Sequence, residues 1–174
     1  VSHKGLDLVR AAIEELLAGD VQFVLLGTGD TEYEAYFKDL ANRYKGKAVS
    51  IIAFNGDLSR KIYSGADIFL MPSKSEPCGL SQMIASRYLT VPVVRETGGL
   101  YDSIKPYGAG GNGFTFAAYN AGDMLYVLRE AIALYKDEPQ WKKLMIKAGT
   151  TDFSWQRSAE EYKKLYSDTL ALLK

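Results

Sequence analysis

Residues 72–82, PSKSEPCGLSQ, gather much of what could do chemistry in this chain. Glu76 is the only acid in the stretch. A carboxylate there either meets a ligand or is simply solvated. Gly79 removes side-chain bulk just before residues 80–88, whose composition suits a helix. Backbone N–H groups at that point would face an anion such as a phosphate. Lys4, followed by Gly5 at the start of a helical pattern, has two readings: a phosphate ligand or a solvated cation. Thr97-Gly98-Gly99 lets backbone amides approach a phosphate or a sugar, or simply makes a turn. Cys78 has the chemistry of a nucleophile. No second cysteine exists, however, and the only histidine, His3, is far off in sequence. The same shortage of His and Cys leaves a metal site too few ligands. Gly27-Thr28-Gly29-Asp30 is half of a dinucleotide fingerprint. Glu32 stands where the third glycine belongs, so the signal alone is weak and a tight strand-to-helix turn is the better account.

These residues need elements to hold them. Apolar residues at helical spacing (Leu6, Val9, Ile13, Leu16, Leu17) predict a helix over 5–18. Strands are expected over 21–26, 48–54, 67–71, 91–94 and 113–116. Pro92 lacks an N–H and points to a strand start or an edge. Thr31 and Glu34 have capping-box spacing ahead of a helix to about residue 44. Asp57 is expected to cap a short helix through residue 64. The glycine-rich stretch 106–113 is expected to be mobile. Later helices are expected from the pattern at Met124, Leu128, Ala131, Ile132 and Tyr135, and from Pro139 onward. Ser158 and Glu161 repeat the capping-box spacing in a closing helix over about 156–173. Strands alternating with helices argue for a parallel sheet covered on both faces. A helix comes first, so the central strand of such a sheet is expected to precede this chain.

The bulk numbers set limits. At 174 residues the chain can bury one ordinary core. Apolar content of 47% and charged content of 24% are those of a globular protein. The formal net charge is zero, so no long-range field favours nucleic acid or an anionic membrane. No apolar run approaches the roughly 20 residues that cross a bilayer. The chain opens Val-Ser-His-Lys-Gly without Met, as an excised piece of a longer protein would. The single cysteine fits a reducing compartment. Residue types and spacing alone therefore reach a parallel α/β domain whose loops suit a nucleotide or phosphorylated ligand.

The loops taken together resemble one family. Residues 73–82 resemble the S-R-F-E-P-C-G-L-T-Q signature of bacterial glycogen synthases and plant starch synthases. Residues 4–7 resemble its K-G-L-D, and 27–30 its G-S-G-D. Residues 65–72 resemble A-G-A-D-x-F-L-M-P, 91–100 resemble V-P-V-V-R-x-T-G-G-L, and 152–159 resemble D-F-S-W-x-x-S-A. The similarity covers nearly the whole chain. It implies the C-terminal, sugar-nucleotide-binding half of a two-domain GT-B glycosyltransferase, Rossmann-like in fold. The implied reaction moves glucose from ADP-glucose to the non-reducing end of an α-1,4-glucan, retains configuration and needs no metal or other cofactor. ADP is the product. The glucan acceptor would bind through an N-terminal domain absent here, and no nucleic acid or membrane partner is implied. The implied location is the cytoplasm, or a plastid in a plant.

The resemblance also assigns roles. Lys4 matches the lysine on the donor phosphates; its partner arginine lies upstream of Val1. Glu76 matches the acid near the reacting carbon. Cys78, Gly79 and Leu80 match backbone that faces the sugar, and Ser81 stands where the family has Thr near a phosphate. Thr97, Gly98 and Gly99 match the second glycine turn, and Phe54 replaces a Tyr that stacks on adenine. Gly56, Asp57 and Arg60 depart from the pattern, which puts contacts to the edge of the base in doubt. Ile84 stands where many related transferases carry a second Glu, an acid that glucan synthases also lack. Two other readings are a related GT-B enzyme with UDP-glucose or another acceptor, and a non-catalytic carbohydrate-associated module.

Overall fold

The computed structural model describes residues 2–172. Helix α1 (Leu6–Leu17) turns two apolar stripes to two different cores. Leu8 and Ala12 join one core, while Val9, Ile13 and Leu17 join another. Strand β1 (Phe23–Leu26), helix α2 (Thr31–Arg43) and strand β2 (Ala48–Ile51) build the second core around Phe37 and Leu40. Helix α3 (Gly56–Gly65) leads to strand β3 (Ile68–Met71), and helix α4 (Ser81–Arg87) to strand β4 (Val91–Arg95). Helix α5 (Gly98–Ser103), strand β5 (Phe114–Phe116) and helices α6 (Ala121–Tyr135), α7 (Glu138–Thr150) and α8 (Trp155–Leu172) complete the chain.

Every strand pairing is parallel. The parallel α/β expectation holds, but the strands form two sheets, β1–β2 and β3–β4–β5. Helix α1 bridges them. Leu25 of β1 and Leu70 of β3 both pack against the core that its second stripe joins, yet the two strands share no ladder. In the larger sheet Val91 and Val93 face α6, while Val94 faces Leu100 and Ile104 beside α5. Helices thus cover both faces, and that is why β4 reads as an unbroken apolar run.

Several local expectations are corrected. Pro92 is the second residue of β4, so the strand-start alternative stands, but β4 is central in its sheet and the edge alternative fails. The Val91 N–H donates to Asp67 O, towards β3, so alternation turns the Pro92 nitrogen towards β5. The β5 ladder begins only at Val93, so no donor is needed there. Asn55, not Asp57, caps α3, its Oδ1 accepting from the Leu58 N–H at 2.9 Å. Glu34 reaches back to the Gly29 N–H, and no Thr31 cap forms because the helix already begins at Thr31. The closing helix starts at Trp155, so Ser158 and Glu161 lie inside it; residue 173 of the expected span falls outside the described residues. Stretch 106–113 is tied down: Asn112, 4% exposed, donates to Ser103 O and accepts from the Lys105 N–H.

A surface network pins α2 to α1. Arg43 donates to both Glu14 carboxylate oxygens, at 2.8 and 2.9 Å, and Tyr44 Oη donates to one of them at 3.0 Å. The Arg43 hydrogen bonds hold Glu14 down at about 2, from an ordinary 4.5. A carboxylate depressed on folding contributes stability above its unfolded value and loses it as pH falls through its folded value. Glu14→Gln is therefore expected to lower Tm at neutral pH. The gap from the parent narrows below pH 4.5 and closes near pH 2, which thermal melts across that range would show. A gap independent of pH would contradict this account.

Candidate active site

Two loops meet at Lys4 and Glu76, 72 residues apart in sequence. Lys4 ends a short 3-10 turn, Ser2–Lys4, and Gly5 then takes φ +74° to start α1. A Cβ on Gly5 would lie 2.1 Å from Pro72 O, so only glycine lets the α1 entry touch the loop after β3. The Lys74 N–H donates to His3 O at 2.8 Å and fastens the contact. Lys4 Nζ then donates to Glu76 Oε2 at 2.6 Å, and Ser73 Oγ to the same oxygen at 3.2 Å. The Glu76 side chain is 10% exposed and that of Lys4 42%. The carboxylate is shielded, while the ammonium stays partly open to solvent.

The second glycine turn is locked onto this loop. The Gly99 N–H donates to Glu76 O at 3.0 Å. Added Cβ atoms would meet Glu76 O at 2.2 Å from Gly98 and Cys78 O at 1.9 Å from Gly99. Thr97-Gly98-Gly99 is thus a backbone-to-backbone seat for residues 76–78. Gln82 is fully buried and closes the assembly from beneath. Its Nε2 donates to Gly79 O at 2.8 Å, to Ser103 Oγ at 3.0 Å and to Cys78 O at 3.3 Å. Gly79, at φ +73°, leaves room for that amide. Sequence reasoning assigned no role to Gln82, Ser73 or Ser103. Gln82 closed the very motif being read, but its amide points into the protein, which spacing cannot show.

The remaining expected residues are placed as follows. Cys78 is exposed, and its Sγ has only a 3.8 Å contact to Gly79 O, so no activating base touches it. Leu80 is exposed and Ser81 half-buried at the first turn of α4. Phe54, beyond β2, is 97% exposed and outside the hydrogen-bonded network. Among the described residues no group of three or more His, Cys, Asp or Glu side chains converges on a point. A cleft of about 820 Å³ opens nearby, with Cys78, Gly99, Asp102, Phe153 and Arg157 in its wall. Neither Lys4 nor Glu76 lines it, and we place the candidate chemistry at their ion pair, where charge and geometry converge.

The family model described as glycosyl transferases group 1 matches residues 1–168. The chain belongs to this family. As a group 1 glycosyltransferase domain it is similar to a glycogen synthase of Kosmotoga olearia, 51% identical over 173 residues. That match takes 98% of this chain and 36% of the relative. It is also similar to a glycogen synthase of Bacillus cereus strain Q1, 49% identical over 97% of this chain and again 36% of the relative. The chain thus spans just over a third of the length of these curated relatives. Among solved structures, the catalytic domain of starch synthase IV from Arabidopsis thaliana, bound to ADP and acarbose, superposes with TM-score 0.84 at 36% identity. The match covers 98% of this chain and 37% of that one. A sucrose-phosphate synthase from Thermosynechococcus elongatus, at TM-score 0.71 and 20% identity, shares the fold. The GT-B expectation agrees with these neighbours.

Proposed function

We propose that this domain holds the nucleotide-sugar donor of a retaining glucosyltransferase, which moves glucose from ADP-glucose to the non-reducing end of an α-1,4-glucan. The observation that carries the proposal is the Lys4–Glu76 pair at 2.6 Å, anchored in two glycine-shaped loops. The similarity to glycogen synthases and to an ADP-bound starch synthase supports the choice of donor. As the glucosyl–phosphate bond breaks, the sugar gains positive charge and ADP negative charge. Glu76, shielded and fixed, stabilises the first; Lys4, freer, swings to the second. The leaving phosphate takes the acceptor proton in a front-face attack, so Glu76 need not become covalent. Backbone at Cys78, Gly79 and Leu80 faces the sugar, Ser81 and the Thr97-Gly98-Gly99 turn lie by the phosphates, and Phe54 offers its exposed ring to adenine. The acceptor binds in a part of the protein beyond this domain, and the reaction belongs to the cytoplasm.

Isothermal titration of the chain with ADP, ADP-glucose and UDP tests this reading. ADP and ADP-glucose are expected to bind, weakly, with no binding of UDP at the same concentrations and no glucose transfer. Preference for UDP would overturn the donor assignment. Robust glucan elongation by these 174 residues would overturn the division of labour between domains.

A further inference from the structure

Arg95 is the last residue of β4, and the donor reading gives it no task. Its Nη1 donates to Lys74 O at 2.8 Å and to Ser73 O at 3.3 Å. Its guanidinium lies over the Tyr119 ring, 5.3 Å from the centroid, and Lys74 Nζ approaches the same ring at 5.7 Å. Tyr119 Oη in turn donates to Asp7 Oδ1 at 2.6 Å. Asp7 lies in the first turn of α1, three residues after Lys4. Burial, followed by the bond to Asp7, pushes the Tyr119 hydroxyl up to about 12, so it keeps its proton at neutral pH. Arg95 Nε is buried without a partner, a cost accepted while the rest of the group is held between ring and carbonyls.

We infer that Arg95 is a positioning residue for Glu76. It grips the two carbonyls on one side of the Glu76 loop, while Tyr119 and Asp7 tie its plane to the helix that follows Lys4. The loop is thereby set at a fixed height against Lys4, and Ser73 Oγ can reach Glu76 Oε2. A guanidinium is needed because one planar group must stack on the ring and donate to carbonyls at the same time; an ammonium does so poorly. Nη1 is engaged by the two protein carbonyls, and the role inferred for Arg95 is to hold the loop. This inference rests on the donor role proposed for Glu76 and adds a residue to it.

The test compares Arg95→Met, Arg95→Lys and the parent in the full-length protein, with two readouts. Kinetics and ADP titration form the first. Arg95→Met is expected to lower kcat by about tenfold or more, as misplacement of a reacting group does, with ADP affinity within about threefold. Arg95→Lys is expected to recover part of kcat. Equal losses of kcat and ADP affinity, in proportion to lost folded protein, would reduce Arg95 to a structural residue and overturn the inference. Amide hydrogen exchange over residues 73–76, without ligand, is the second readout. Faster exchange in Arg95→Met is expected, and unchanged exchange overturns the inference even where the donor reading holds. If the parent fails to bind ADP-glucose, the donor reading falls, while the exchange result still decides whether Arg95 fixes the loop.

Discussion

Replacing Glu76 with alanine in the full-length protein lowers turnover by about two to three orders of magnitude, the usual loss when one preorganised charge is removed. ADP affinity holds or rises. Both outcomes come from the same pair. Glu76 contributes a shielded carboxylate to the sugar side, where charge develops only as the bond breaks, so the loss appears in kcat. Lys4, no longer drawn to a carboxylate 2.6 Å away, is freed for the phosphates. Glucose incorporation measured alongside ADP titration separates the two effects. Near-normal turnover would remove Glu76 from the chemistry, and a matching fall in ADP affinity would mean that the loop had collapsed.

Gly5→Ala has a comparable effect by a different route. The residue holds φ +74°, a region that costs a side-chain-bearing residue about 1–2 kcal/mol. The new Cβ would also sit 2.1 Å from a backbone oxygen that has no flexible end to move aside. Together these cost about 3 kcal/mol or more, the scale of a strained and overpacked site. The strain falls on the contact that carries Lys4 to Glu76, so what remains folded also binds ADP less well. Gly65→Ala is the control: it has ordinary φ and open space around it, and its Tm stays within a degree or two of the parent, about what a surface change allows. Thermal melts of both variants with ADP titration check this. A Gly5→Ala protein with the parent's Tm and affinity would contradict the close approach described above.

The order of strands and helices was legible because apolar period and glycine punctuation are local. Residues 91–94 were readable as a strand, though not as a central one, and Lys4 and Glu76 could be singled out by residue type. Their meeting could not be read from spacing, since it joins positions 72 residues apart; only the resemblance brought them into one site. Gln82 and Arg95 lay inside motifs already read, yet their contacts run through side-chain nitrogens to carbonyls on other segments. Tyr119 gave no signal at all, because its partner Asp7 is 112 residues away. The edge alternative for Pro92 failed for a related reason. Its missing N–H says that no donor is needed on one side, and a neighbouring strand that begins one residue later satisfies that as well as a sheet edge does. Asn55 outcompeted Asp57 because a cap must stand just before the first helical turn, and α3 begins at Gly56.

The division of the strands into two sheets bears on how this domain holds together under stress. Its cooperativity runs through α1, whose two neighbouring apolar stripes serve separate cores. The β1–β2–α2 side is the lighter partner, with two strands against three and with Val24 and Val49 nearly half exposed. Such a unit opens at lower free energy than the β3–β4–β5 side, which carries the Glu76 loop, its glycine seat and the Arg95 brace. Lys4, two residues ahead of the shared helix, is tied to the heavier side through His3, Gly5 and Glu76.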